Sequence, residues 1–272
     1  MGNKLGALLD QVRERKPLIH HITNYVTVND CANITLAIGA SPVMADAIDE
    51  AADIAAIAGA LVLNMGTLNE RTIPSMIAAG KSANEKGVPV IFDPVGAGAS
   101  RLRNETAAQL LREVKLTVLR GNISEIKFVA GLASETKGVD ASESDRANAE
   151  SAGQIAKTLA KKLGCVVVIS GAVDAVSDGE AVVLIENGVP MLGNLTGTGC
   201  MCSSLIGSFC GAAKGEPLTA AAAAMCCMGI AGEEAFAKAG NLGNGSFHTA
   251  LLDAVSRMDA ETLERLAKYN ET

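Results

Sequence analysis

Residues 165–170 read CVVVIS, and four β-branched residues stand there in a row with no polar residue between them. Strict alternation of apolar and polar residues marks a strand with one wet face. Unbroken β-branched sequence instead marks a strand buried on both faces, the situation of a parallel sheet covered by helices. Working outward, the same kind of segment recurs as LTVLR (116–120), VPVIFD (88–93), ALVLN (60–64) and, nearest the amino terminus, PLIHHI (17–22). Between these runs the apolar residues fall at helical spacing, over about 28–38, 72–86 (closed by Gly87), 107–114, from Glu125 onward and 146–163. Leu5, Leu8, Leu9 and Val12 give a short amphipathic helix at the start.

Strands that alternate with helices imply βαβ units and an α/β fold, mostly parallel, with helices on both faces. Residues 172–188, AVDAVSDGEAVVLIENG, read as a hairpin turning at Asp178-Gly179. The polar stretch from Ser134 to Asp145 reads as a loop, and nearly everything from Thr198 onward as helix. No linker, repeat or biased segment divides the 272 residues, so the expectation is one domain over 1–272.

Composition narrows the function. Hydrophobic residues make up 49% and charged residues 19%, enough for a large core, whereas aromatics are only 3% and Trp is absent. A net charge of -7 leaves no basic surplus to neutralise phosphates, and the aromatic platforms of single-strand binders are lacking, so nucleic acid is not expected as a partner. The seven cysteines are scattered and odd in number, which is no disulfide framework and fits a reducing, cytoplasmic setting. The opening residues carry no secretory apolar run, and the apolar tracts are interrupted before 18 residues, so neither a signal peptide nor a membrane span is expected.

Four apolar runs end in a polar residue: Asn64, Asp93, Arg120 and Ser170. In open parallel sheets ligands bind beyond the carboxyl ends of the strands. Four such ends together make a polar site, although each alone is unremarkable. The second feature is TGTGC, residues 196–200, where two glycines precede a helical apolar stretch. Free amides of a first helical turn converge on one point, and the helix dipole adds positive potential there. Gly197, Thr198, Gly199 and Cys200 therefore form a candidate cradle for a phosphoryl group, with Thr196 and Thr198 as hydroxyl donors. An ordinary glycine-rich loop capping a helix accounts for the same pattern. Neither GK[ST] nor GxGxxG is present.

HHITNYVTVNDCANITLAIGASPVMADA (20–47), FDPVGAGAS (92–100), LRGNISEI (119–126), NLTGTGCMCSSLIG (194–207) and GSFHTALLDA (245–254) together resemble, in order, the hydroxyethylthiazole kinases. That family belongs to the ribokinase-like superfamily, and the resemblance covers essentially the whole chain. It implies a three-layer ribokinase-like fold and ATP-dependent phosphorylation of the primary hydroxyl of 4-methyl-5-(2-hydroxyethyl)thiazole in thiamine salvage, with Mg²⁺. It also implies a homotrimer with substrate sites between subunits. Related kinases carry Asp as base after their glycine turn, and the resemblance puts Cys200 in that place. Phosphoryl transfer through a loose transition state needs little base strength, so a true base and a positional thiol are both open at this point.

The resemblance further implies Met44, Gly197 and Asn24 as thiazole contacts, and Arg120, Ser170 and Asn122 as ATP contacts. Asp93 and Glu125 would hold hydrated Mg²⁺, the latter in an N-x-x-E pair with Asn122. The competing readings are a turn former for Asp93, a capping carboxylate for Glu125, a structural ion pair for Arg120 and core packing for Met44. His20 and His21 point to opposite faces of a strand and are expected to make structural hydrogen bonds. His248 is expected to cap or pack near the final helices. Cys200 and Cys202, about 200° apart on a helix, diverge, so zinc is not expected. The rival activities are a related kinase acting on hydroxymethylpyrimidine or pyridoxal, and an ATP-dependent dehydratase of hydrated nicotinamide nucleotides. A ligand sensor that has lost catalysis is the non-enzymatic alternative.

Overall fold

A computed structural model describes residues 4–131 and 145–272. The chain runs α1 (Leu5–Arg15), β1 (Leu18–Ile22), α2 (Val28–Ile38), β2 (Ser41–Val43), α3 (Ile48–Ile57), β3 (Ala60–Asn64), α4 (Thr72–Lys86), β4 (Val90–Asp93), α5 (Arg101–Glu113), β5 (Val118–Asn122) and α6 (Ile123–Val129). It continues with α7 (Asp145–Leu163), β6 (Val166–Ser170), β7 (Asp174–Ser177), β8 (Val182–Ile185), a 3-10 turn (Pro190–Asn194), α8 (Thr198–Ala212), α9 (Pro217–Ala239), α10 (Asn244–Arg257), α11 (Ala260–Leu266) and β9 (Tyr269–Glu271).

The strands form one sheet in the order β2-β1-β3-β4-β5-β6-β7-β8-β9. Pairing is parallel from β2 to β6 and antiparallel from β6 to β9. The expected α/β class, the mostly parallel sheet and the hairpin are all present. The sheet's two faces are both dry, because successive side chains alternate between two apolar layers. Val62, Ile91, Val118, Val166 and Val168 pack under α1, α2, α8, α9 and α10, whereas Leu61, Leu63, Phe92, Leu119 and Val167 pack under α4, α5 and α7. Full burial of each such side chain contributes about 1.5–3 kcal/mol, which is why these runs carry no polar residue until their ends.

Four elements depart from the expectation. Ser41–Val43 forms a short edge strand and Ile48–Ile57 a helix, in a stretch where sequence periodicity offered neither. The carboxyl end is not wholly helical, since Tyr269–Glu271 pairs with β8 at the sheet's far edge. The helix expected over 107–114 begins earlier, at Arg101, where the hydroxyl of Ser100 accepts from the Arg103 amide and caps it. Of the loop expected from Ser134 to Asp145, residues 134–144 lie outside the described residues and Asp145 already belongs to α7.

Helix Pro217–Ala239 is long and apolar enough to cross a membrane by length and composition, which interruptions in the sequence had argued against. It is instead a core helix, with 78% of its most apolar window buried. It packs against α8 and α10 on the sheet's first face. A helix apolar all round must be buried, in protein or in lipid, and here protein covers it. All seven cysteines are free thiols; six are buried and Cys200 is half-buried.

Candidate active site

Parallel pairing brings the polar residues together, with one correction: β5 does not end at Arg120, as the apolar run suggested, but continues two residues to Asn122. Asn64 lies directly opposite Asp93 across β3 and β4, and Asn122 opposite Ser170 across β5 and β6. The α8 amino terminus, which lies against β3 and β4, meets them from the side. Between these elements lies a cavity of about 570 Å³, lined by Asn24, Asp93, Arg120, Asn122, Glu125, Ser170 and the run from Thr196 to Cys200. It adjoins a second cavity of about 470 Å³, which shares Arg120, Ser170, Thr198 and Gly199 and extends to Asp174, Met225 and Met228. The site residues expected from the sequence line the first cavity except Asn64, which is bonded to Asp93 and Cys200 but lines neither cavity, and Met44, which follows β2, half-buried, and lines neither.

At the glycine turn, Gly197 is the residue before α8 and has φ of 89°, a left-handed conformation that suits glycine. A Cβ there would also strike the Thr27 methyl at 2.7 Å. The Thr198 hydroxyl donates to the Leu192 carbonyl at 3.1 Å. In this structure the proton of that side chain is therefore engaged by main chain.

Cys200 sits three residues into this turn. Asn24 Nδ2 approaches its sulfur at 3.4 Å and Asn64 Nδ2 at 3.2 Å. Asn24 also donates to Asn64 Oδ1 at 2.9 Å, and Asn64 Nδ2 to Asp93 Oδ2 at 2.9 Å, so the thiol stands at one end of a hydrogen-bonded chain. Burial and then the charge of Asp93 push the thiol pKa above its ordinary value, against the hydrogen bonds of Thr27, Asn24 and Asn64. The positive helix terminus therefore does not leave a resting thiolate.

Asp93 is completely buried. Its Oδ2 accepts from Asn64 and, at 2.8 Å, from Ser203. Arg120 Nη1 is 3.8 Å away. Its Oδ1 is buried without a partner. Burial raises the Asp93 pKa above the usual carboxylate range, and Arg120 opposes this. For Arg120, burial works against the charge, but Asp93 first among its neighbours keeps the pKa above the ordinary guanidinium value. Arg120 is thus a fixed cation, with Nη2 donating to Ser170 Oγ at 2.8 Å.

Asn122 and Glu125 form a capping box at the start of α6. Asn122 Oδ1 accepts the Glu125 amide and Glu125 Oε2 the Asn122 amide, each at 2.9 Å. Such caps are worth about 1 kcal/mol. The capping role foreseen as the alternative for Glu125 is therefore real, and Oε1 meanwhile accepts the Gly96 amide at 2.8 Å. Among the described residues no three His, Cys, Asp or Glu side chains converge on one point. That argues against an all-protein metal cage, though not against Mg²⁺, which takes one or two carboxylates and keeps its waters. The unpartnered Asp93 oxygen is the feature that fits such an ion.

Sequence reasoning assigned no role to Asn64 beyond its strand end, and missed Ser203, Thr27 and Asp174. Ser203 lies one helical turn beyond Cys200, a spacing that offered a signal. His20 Nε2 meets the Ala45 carbonyl at 2.7 Å and His21 Nε2 the Thr35 hydroxyl at 3.3 Å, the structural bonds expected of them. His248 lies on α10, among the final helices as expected, and approaches Asp30 of α2 at 3.1 Å.

Residues 9–261 match the sequence profile of the hydroxyethylthiazole kinase family. The chain is 61% identical over 269 residues to a protein of Clostridium beijerinckii named hydroxyethylthiazole kinase, covering 98% of this chain and 97% of that one. It is 52% identical to a protein of the same name from Methanocella arvoryzae, over 96% of this chain and 95% of the other. Among solved structures, a hydroxyethylthiazole kinase protein from Pyrococcus horikoshii superposes with a TM-score of 0.89 at 38% identity, over 99% of both chains. A Bacillus subtilis pyridoxal kinase, at 20% identity and a TM-score of 0.58 over 80% of this chain and 91% of its own, shares the fold.

Proposed function

This chain belongs to the hydroxyethylthiazole kinase family, and from that premise we propose that the cavity at the carboxyl ends of β3 to β6 is where it transfers phosphate. The reaction is the ATP-dependent phosphorylation of the hydroxyl of 4-methyl-5-(2-hydroxyethyl)thiazole. The observation that carries the site assignment is the meeting of Cys200, Asn64, Asp93 and Arg120 around the amino terminus of α8.

The main-chain amides of Thr198, Gly199 and Cys200 and the guanidinium of Arg120 receive the moving phosphoryl oxygens, because fixed dipoles and charge suit a transition state spread over three equatorial oxygens. The second cavity takes the nucleoside, with Ser170 and Asn122 between it and the phosphates. Cys200 Sγ lies beside the accepting hydroxyl and orients it. A thiol whose pKa is raised keeps its proton at neutral pH, so the residue acts by position, while Asn24 and Asn64 hold it in place. Gly197 and Asn24 contact the thiazole. Asp93 and Glu125 would hold Mg²⁺ through its waters, and the ion would neutralise charge on the phosphates.

The same reading makes 1–272 one kinase domain that works in the cytoplasm as a homotrimer. Its support is the apolar surface left exposed beside the site, at Tyr25, Val26, Val28 and Leu36. The position of Met44 outside the cavity agrees, since in a shared site its thioether reaches the thiazole of a neighbouring copy. ADP release measured with the thiazole alcohol, the pyrimidine alcohol and pyridoxal tests the substrate, and turnover with the thiazole alone is the expected result. Light scattering after gel filtration tests the trimer.

A further inference from the structure

Arg103, in the first turn of α5, has no part in the reading above, yet its guanidinium reaches the two turns that carry the site. Nη1 donates to the carbonyl oxygens of Met65 and Val95, both at 2.6 Å, and Nη2 to that of Gly66 at 2.7 Å. Among the described residues no carboxylate lies within ion-pair distance of it. The charge is directed wholly at main chain, and charged donors form the stronger hydrogen bonds.

Met65 and Gly66 follow β3, and Val95 follows β4. Gly66 returns its amide to Asn64 Oδ1 at 2.9 Å, which fixes the side chain that touches Cys200. Gly96, next to Val95, gives its amide to Glu125 Oε1. One guanidinium thus joins the turn that sets Asn64 to the turn that sets Glu125, and Asp93 lies between them. A lysine also has three donors, but they sit on one nitrogen and lack the planar fork that here spans two turns.

We propose that Arg103 is a positioning residue of the phosphoryl-transfer site, tying the turns after β3 and β4 so that Cys200 and the two carboxylates keep their separation. The inference rests on the site assignment made above. A displacement of about 1 Å in such a site costs about 10²-fold in rate, so the effect belongs in kcat more than in binding.

The test compares Arg103→Met, Arg103→Lys, Arg103→Ala and Asn64→Ala with the full-length wild type. Steady-state constants are measured for both substrates, together with alkylation of Cys200 by iodoacetamide without substrate, located by mass spectrometry. The other six cysteines are buried, so the label reports on one thiol. Arg103→Met is expected to lower kcat by about 10²-fold, with each KM within about threefold. Its Cys200 is expected to react several-fold faster than wild type, as the Asn64 side chain loosens. Arg103→Lys should fall between, and guanidinium ion at millimolar concentration should restore part of the rate of Arg103→Ala. Wild-type kcat and wild-type labelling in a folded Arg103→Met, with Asn64→Ala impaired, overturns the tie alone. Wild-type kcat in both variants overturns the site assignment, and the tie with it. Should Arg103→Met not fold, Arg103→Lys decides by the same two readouts.

Discussion

A Cβ placed on Gly199 would stand 2.6 Å from Nη1 of Arg120, so the first turn of α8 and the Arg120 side chain of β5 touch at a distance that only glycine permits. The φ of Gly199 is not left-handed. The requirement is therefore close approach, not turn geometry.

Arg120 is held on its other side by Ser170 and Asp93. Gly199→Ala must push the guanidinium off the spot where the phosphates are proposed to lie. The expected outcome is an ATP KM raised by about 10-fold or more, from the loss of a charged contact of about 1.5–3 kcal/mol. The thermal midpoint should move by only about 4 °C at most, because a side-chain end yields and the backbone does not. Titration with a non-hydrolysable ATP analogue and a melting curve check both. Wild-type affinity would remove Arg120 from the nucleotide site.

Cys200 is held by two amides and is protonated at neutral pH. General bases are worth about 10²–10⁴-fold in rate. A thiol that only positions the hydroxyl contributes less, so Cys200→Ala should keep more than about a hundredth of wild-type kcat. Cys200→Asp should match or exceed wild-type turnover, since a carboxylate there can both orient the hydroxyl and accept its proton. A folded, ATP-binding Cys200→Asp without activity would place the accepting hydroxyl elsewhere.

Asp93 and Arg120 are a buried pair, and removing one partner from such a pair costs about 3–5 kcal/mol. Arg120→Met is expected to lose stability of that order by urea unfolding. Asp93 already has a raised pKa and without Arg120 prefers its proton still more. A group whose folded pKa is raised gives stability below its unfolded pKa and loses it as pH rises, so the defect should be larger at pH 7 than at pH 5. Asp93→Asn with Arg120→Met should recover much of the stability while leaving the enzyme inactive. A double variant no more stable than Arg120→Met would show that the pair's charge is not what the burial costs.

The strand ends were legible because physics writes them plainly. An apolar run stops where a side chain must be polar, and parallel pairing then gathers Asn64, Asp93, Arg120 and Ser170 without further information. The Asn122–Glu125 box is equally local, a three-residue spacing with a known geometry. What was not legible was long-range or unpatterned. Asn64 meets Cys200 across 136 residues. Ser203 hides in a helix of small residues, and Arg103 acts through carbonyl groups that any residue supplies. The strand Ser41–Val43 is too short for a period and contains Pro42, and Tyr269–Glu271 is equally short.

His21 is buried in β1, where burial and then the neighbouring His20 lower its pKa from 6.5 to about 3. The His20 pKa is lowered as well, burial outweighing its bond to Ala45. Folding therefore keeps the His21 imidazole neutral, whereas the unfolded chain takes up a proton once pH drops below about 6.5. The unfolded state binds more protons, so stability is whole above pH 6.5 and erodes as pH falls toward 3. Asp174, raised to about 6 by burial, has the opposite sign, and its contribution is lost as pH rises from about 4 to 6. Asp174 partly cancels the histidines in that window and no longer offsets them below it. Unfolding free energy should thus fall from pH 7 to pH 4 by less than the imidazoles by themselves require and then steepen. In His21→Gln the loss per pH unit should be smaller by up to about 1.4 kcal/mol. Parallel curves for the two proteins from pH 6.5 to pH 3.5 would mean that some group other than His21 carries the acid sensitivity.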